Sequence, residues 1–469
     1  MIRITRTSGL ALVIATGWAL PASAQTADAS AVQQQLADMR AQMSAMAQRI
    51  DSLEGQLAVA QHKADAASAA VAAIPPPVHL TATAKPTTEI TWDGAPKLTA
   101  AVDPKNPAAG TWSFKPRGRL QVDAGSLTAP AALANKETGF ASELRRAYLG
   151  FDGTIPGGFG YRIEADFANS SVNLTDLYLT YKASPKLTVT IGQHKPFWGL
   201  EEMTSDLYTS FQERAAFAGA FGFERRVGLS AAYAGKDVLV QIGAFTDDAA
   251  ALNSDINNSY SVDGRIVFMP KVGSGQLHLG GSVHYRRFKD LQASTSYGAR
   301  PFLHTTDLRL IKTPSFASNG ERGLGLEVAY VQGRFHATAE SQWLTALRPG
   351  LIDPTFNGGY AEAGLLLTDD TTTYKGGVYD RIRPKAPLGR GGIGAIQVNA
   401  RYDWLSLNSG AIVGGRQQVA AASVLWIPTD YVRFILNYGH IWINDAAVPA
   451  GTARRYTANA IGLRSQFDF

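Results

Sequence analysis

Residues 396–404 read Ile-Gln-Val-Asn-Ala-Arg-Tyr-Asp-Trp. Ile396, Val398, Ala400, Tyr402 and Trp404 share one parity, and Gln397, Asn399, Arg401 and Asp403 share the other. Successive side chains of a β-strand point to opposite faces, so this stretch is a strand with one apolar and one ionic face. The pattern repeats outward in both directions. Tyr161, Ile163, Ala165 and Phe167 alternate with Arg162, Glu164 and Asp166, and Val432, Phe434, Leu436 and Tyr438 enclose Arg433 and Asn437. The chain ends on the same pattern, with Ile461, Leu463, Ser465, Phe467 and the terminal Phe469 set against Gly462, Arg464, Gln466 and Asp468.

About sixteen such segments fit between Thr111 and Phe469, one per roughly 22 residues. Short links such as Pro156-Gly157-Gly158 and Pro428-Thr429 alternate with long ones near 123–140, 195–224, 246–257, 289–321, 344–357 and 441–454. Two links break the rule: 169–171 is short where a long one is due, and 370–392 is long on the side that should carry short turns. Alternating link lengths of this kind belong to an up-and-down outer-membrane barrel. A two-sheet sandwich would bury one face of each strand in a shared core and would not carry ions through so many strand interiors. The fold expected is all-β, a 16-stranded antiparallel transmembrane β-barrel with an N-terminal α-helical coiled-coil segment. Closure leaves no unpaired edge, so backbone groups are satisfied in lipid without disulfides. It also inverts the usual core, which accounts for a mean hydropathy of only −0.08. Trp112, Trp343, Trp404, Trp426, Tyr431 and Trp442 sit near strand ends, where interfacial belts form.

The 469 residues include no cysteine, which excludes a disulfide scaffold, a thiolate metal site and a cysteine nucleophile. The formal charge is +5, falling to +3 without Arg3 and Arg6, too little to indicate nucleic acid. Those two arginines precede an apolar run, Leu10–Leu20, and then Ala22-Ser23-Ala24. Residues 1–24 therefore read as an export signal cleaved after Ala24, which places the N-terminal part of the mature chain in the periplasm of an outer-membrane protein. Val32, Leu36, Met39, Met43, Met46, Ile50, Leu53 and Leu57 form an a/d seam, so residues 29–73 are expected as a self-associating coiled-coil helix. Residues 74–110, rich in Pro, Thr and Ala, read as linker, and 111–469 as the barrel.

Signals for an enzyme are absent. Gly389–Gly394 satisfies G-x-G-x-x-G but follows a loop and opens a strand, so it reads as a turn. No metal or cofactor is expected. Polar-face arginines carry more information. Lys115, Arg117, Arg119 and Gln121 share one face of the first strand, and Arg146 with Tyr148 that of the second. Arg145 and Arg146 are adjacent, so either one lies at the rim or a bulge turns it inward. Guanidinium groups around an aqueous constriction favour oxyanions. The link from Lys195 to Glu224 holds seven aromatic residues, too many for a solvated loop, and is expected to fold into the bore.

Several stretches resemble the phosphate-selective porin O and P family: Gly118-Arg119-Leu120-Gln121, Leu144-Arg145-Arg146-Ala147-Tyr148-Leu149, Tyr161-Arg162-Ile163-Glu164 with Asp166, Asp176 with Tyr181, and Gly192 to Arg214. The resemblance spans residues 111–469. It implies a homotrimer whose third long loop narrows the bore, with arginines holding phosphate there. By motif position the implied constriction residues are Arg119, Arg145, Arg146, Tyr148, Asp176, Ser205 and Arg214. One departure modifies the expectation: where phosphate-selective members carry lysine after Gly-Leu-Glu, this chain has Glu202, and Asp206 adds a second acid. The expected function is passive conduction of small hydrophilic solutes, anion-preferring, with phosphate selectivity and general permeation both open. The expected partners are two further copies of the chain, outer-membrane lipid and small anions such as phosphate. A structural alternative is a tether between the outer membrane and peptidoglycan.

Overall fold

A computed structural model describes residues 88–92, 94–101, 110–134, 136–168, 171–253, 258–289 and 293–469. It also describes nine positions between Arg40 and Gln61, all helical. Of the heptad seam only Met43 falls among them, so the coiled-coil expectation lies outside the described residues, as does the export signal.

Sixteen strands close on themselves. They are β1 (Thr111–Thr128), β2 (Gly139–Ile155), β3 (Phe159–Asp166), β4 (Asn173–Lys182), β5 (Leu187–His194), β6 (Arg226–Ala234), β7 (Val238–Phe245) and β8 (Tyr260–Phe268). The second half comprises β9 (Gly275–Arg287), β10 (Gly320–Gln332), β11 (Phe335–Leu347), β12 (Thr355–Leu366), β13 (Ala395–Ser409), β14 (Ile412–Thr429), β15 (Val432–Asn444) and β16 (Tyr456–Asp468). Each pairs antiparallel with its neighbours in sequence, and β16 returns to β1 with Asp468 opposite Arg119 and Asn459 opposite Thr128. The terminal residue completes the seam, because Phe469 and Gly118 exchange backbone hydrogen bonds of 3.0 and 3.1 Å. Inside the seam, Arg464 donates to both Asp123 oxygens at 2.8 and 2.7 Å.

Burial is inverted as the alternation requires. On β16 the apolar Ile461, Leu463 and Phe467 are exposed, while Arg464, Gln466 and Asp468 are buried. The bore is not open throughout. Residues 195–225 fold inward, carrying two short helices, α1 (Leu200–Met203) and α2 (Ala216–Phe221). Residues 293–319, with two small hairpins, join them. Phe211, Phe217, Trp198 and Phe223 from the first segment, with Phe302, Leu303, Leu310 and Ile311 from the second, form an apolar core inside the barrel.

Two features go beyond the sequence reading. The 74–110 stretch expected as linker contains a hairpin, Thr88–Trp92 with Pro96–Ala101, whose second strand pairs with the start of β1. Trp92 fixes it by donating to the Tyr431 hydroxyl at 2.6 Å. The long 367–394 connection also enters the bore, from the end bearing the short turns. Its hairpin, Thr373–Lys375 with Val378–Asp380, reaches β9 through Tyr374 and His278, 2.5 Å apart, and β8 through Arg265 and the Gly377 carbonyl, 2.9 Å apart.

Candidate functional site

Residues 195–225 are pinned to one wall of the barrel. Glu340 on β11 accepts from the backbone N–H groups of Leu200 and Glu201 at 2.8 and 2.7 Å. Those are unpaired donors of a helix start, which a carboxylate suits. Gly199 makes the approach possible: its φ is +63°, and a Cβ there would lie 2.6 Å from a Glu340 oxygen. Further round, Arg401 holds Glu201 at 2.6 Å, Asp403 accepts from Ala216 N–H at 2.9 Å, and Arg433 and Arg464 donate to the carbonyls of Leu207 and Gln212 at 2.6 and 2.5 Å. The side chains of four strands thus bind loop backbone and charge, which fixes the segment as a strap.

The strap meets β1 and β2 through ion pairs. Asp206 lies between two arginines: it pairs with Arg119, and its other oxygen is 2.6 Å from Arg146 Nε. Burial pushes the Asp206 carboxyl up, but Arg119 and Arg146 together hold it well below the ordinary carboxylate range. Arg145 forks onto Glu213 at 3.0 and 3.1 Å. Both neighbouring arginines therefore face the bore. The register explains it: Gln121 faces Arg146 and Val122 faces Leu144, which leaves Arg145 as the extra residue of a β-bulge. The Tyr148 ring lies under the Arg119 guanidinium, 4.5 Å away.

Glu202 is paired as well. Lys195 Nζ donates to it at 2.7 Å, and Arg214 Nε is 3.6 Å away. Burial raises the Glu202 carboxyl, yet Arg214 and Lys195 outweigh it and hold the group below its usual range. Burial and the neighbouring Arg214 push the Lys195 ammonium down to about 8, against the opposing effect of Glu202. Arg214 also donates to the carbonyls of Glu201 and Thr204 at 3.0 and 2.9 Å. Asp176, aimed inward beyond a bulge at Thr175, receives Arg225 at 2.5 Å. Ser205 accepts the Leu207 N–H at 3.3 Å, folding the strap locally.

Two cavities flank the strap. One, of about 380 Å³, is lined by Arg145, Arg146, Tyr148, Glu202, Asp206 and Arg214 among others. The second, of about 370 Å³, includes Arg117, Arg119, Tyr208 and Arg381. Asp206 borders the first and Arg119 the second, so their pair with Arg146 stands between the two. Seven of the nine expected residues border one cavity or the other. Asp176 and Ser205 border neither, and act behind Arg225 and within the strap. Sequence reasoning missed Arg225, which stands two residues after Phe223, and Glu213, whose partners lie on β2 and β16. It also missed the 367–394 hairpin, where Arg381 pairs with Asp468 and Tyr379 N–H reaches Thr204 Oγ1 at 3.4 Å.

Comparison with known proteins gives the family of the chain. The family model described as Phosphate-selective porin O and P matches residues 114–469. An uncharacterized protein of Caulobacter vibrioides is 42% identical over 462 residues, covering 94% of this chain and 90% of that one. Porin O of Pseudomonas aeruginosa is 26% identical over 335 residues, covering 64% and 74%. Among solved structures, an anion-selective porin from Comamonas acidovorans aligns with a TM-score of 0.49 at 12% identity, covering 76% of this chain and 100% of that one. OmpT of Vibrio cholerae gives 0.49 at 10% identity, covering 76% and 98%.

Proposed function

The chain belongs to the phosphate-selective porin O and P family and is an outer-membrane channel rather than an enzyme; from that premise we propose that it conducts small hydrophilic solutes with a modest anion preference and without tight phosphate binding. The observation that carries this reading is the placement of Asp206. Its carboxylate occupies the space between Arg119 and Arg146 that an oxyanion would need. Glu202 does the same between Lys195 and Arg214. An entering phosphate would have to displace two fixed, fully paired carboxylates and bear their repulsion, about 4 kcal/mol for unit charges 4 Å apart at an effective dielectric of 20. The preference for anions persists because seven cations against five carboxylates line the 380 Å³ cavity.

The proposal extends to a homotrimer exported with cleavage after Ala24, its heptads on the periplasmic side. Planar-bilayer recording of the purified protein under a potassium chloride gradient tests the reading. The expected reversal potential has the sign of modest chloride preference, and inorganic phosphate leaves chloride current intact until it is itself a major ion. Block by micromolar phosphate would instead establish phosphate selectivity.

A further inference from the structure

The 380 Å³ cavity carries groups that chloride cannot use. Asp403 on β13 spends Oδ2 on the Ala216 N–H, while its Oδ1 is buried with no partner. Gln417 on β14 leaves Oε1 in the same condition. Each residue is 1% exposed, and each belongs to the wall of this cavity. Asp403 pairs with Val419 across the ladder, so Gln417 is its diagonal neighbour on the same inner face, roughly 7–8 Å away by backbone geometry. An acceptor left buried without a donor is unfavourable, and a carboxylate oxygen especially so. Both atoms ask for a donor, and chloride or an ionised carboxylate supplies none.

Other parts of the wall ask for the opposite. Arg145, Arg146, Arg214 and Arg225 border the cavity but already hold Glu213, Asp206, Glu202 and Asp176, whereas Arg309 enters the wall with its guanidinium free of any such acid among the described residues. Arg309 donates Nη1 to the Asp307 carbonyl at 2.8 Å, and no carboxylate ion-pairs with it among the described residues. Phe223, Phe302 and the small residues of α2 supply apolar surface, with open space above Gly219 and Gly222. The volume lies within the range of small-molecule sites, about 300–1,000 Å³.

We propose that this cavity is a binding site for small zwitterions, namely amino acids and short peptides. The ammonium is held by Asp403 Oδ1 and Gln417 Oε1, and the carboxylate faces Arg309, with the paired arginines adding only their background potential. An ammonium offers three N–H donors and a positive charge, which meets both orphaned acceptors at once. Carboxylates match guanidinium forks. A lone carboxylate satisfies only Arg309, and a simple cation only Asp403 and Gln417.

The inference rests on the porin reading, and the experiment separates the two. Chloride current through single channels of the full-length protein is recorded with alanylalanine, propionate or ethylammonium at matched concentrations on both sides. Alanylalanine is expected to interrupt the current at a concentration at least about tenfold below either singly charged analogue, since charge-assisted hydrogen bonds are worth that factor or more. Asp403→Asn and Gln417→Leu should each weaken the alanylalanine interruptions about tenfold relative to those from propionate. Gln417→Leu leaves the Ala216 contact alone, so it carries the test if Asp403→Asn fails to assemble. Channels that conduct but respond to alanylalanine no more than to propionate overturn the zwitterion site alone, as does an unchanged response in Gln417→Leu. Protein that assembles and passes no current overturns the porin reading itself.

Discussion

At the scale of residues, selectivity turns on two acids standing where cations would make an oxyanion site. Glu202→Lys with Asp206→Asn removes both strap acids from Arg119, Arg146 and Arg214, leaving Glu164 beside Arg119. The double variant should acquire block of chloride current by phosphate at concentrations at least tenfold below any effect on the parent, read in the same bilayer assay. Acidification cannot mimic it, because Arg119 and Arg146 hold the Asp206 carboxyl well below the ordinary range. Lys195 behaves differently. With its ammonium titrating at about 8, the bore carries one more positive charge below that pH than above it. Chloride preference, measured as reversal potential, should therefore fall between pH 7 and 9, and Lys195→Arg, which stays protonated, should abolish that step. Much of this chemistry could be read from the sequence: Glu202 and Asp206 stand out within Gly192 to Arg214. The aim of Arg145 could not, because a β-bulge adds one residue to a strand without altering the local alternation.

At the scale of elements, the bore is narrowed from both ends. The strap at 195–225 was legible because Phe197, Trp198, Phe211, Phe217 and their neighbours could not remain in solvent. The hairpin of 367–394 left no such signal. Its inward path depends on Tyr374 with His278 and Tyr379 with Thr338, partners 96 and 41 residues away in sequence. Its polar composition suits a solvated loop equally well. Once inside, it touches the strap through Thr204, and Arg381 stacks 5.4 Å over the Tyr208 ring. Replacing residues 372–382 by a short Gly-Ser link should increase single-channel conductance, since the hairpin fills part of the bore on that side. The strap should stay in place, held by Glu340, Arg401, Arg433 and Arg464, so the sign of ion preference should persist. A conductance equal to the parent's would show that the hairpin lies outside the current path.

At the scale of the whole molecule, alternation and closure together decide which face each residue meets, and neighbouring positions on β16 test this most directly. Leu463 points to lipid and Arg464 to the bore. An arginine placed on the lipid face near the midplane costs about 2–4 kcal/mol, so Leu463→Arg should destabilise the folded barrel by that amount. Arg464→Leu should destabilise it for the opposite reason. It strands Asp123, which Arg464 holds at 2.7 Å, while Glu213 keeps Arg145, and losing one partner of a buried pair costs about 3–5 kcal/mol. Adding Asp123→Asn to Arg464→Leu should recover part of the loss, because the stranded charge goes with it. Nothing of the kind should rescue Leu463→Arg, whose penalty comes from hydrocarbon rather than from a missing partner. Denaturant unfolding in lipid vesicles measures all three. Equal tolerance of leucine and arginine at both positions would mean that the two faces of β16 meet the same solvent, which a closed barrel in a membrane forbids.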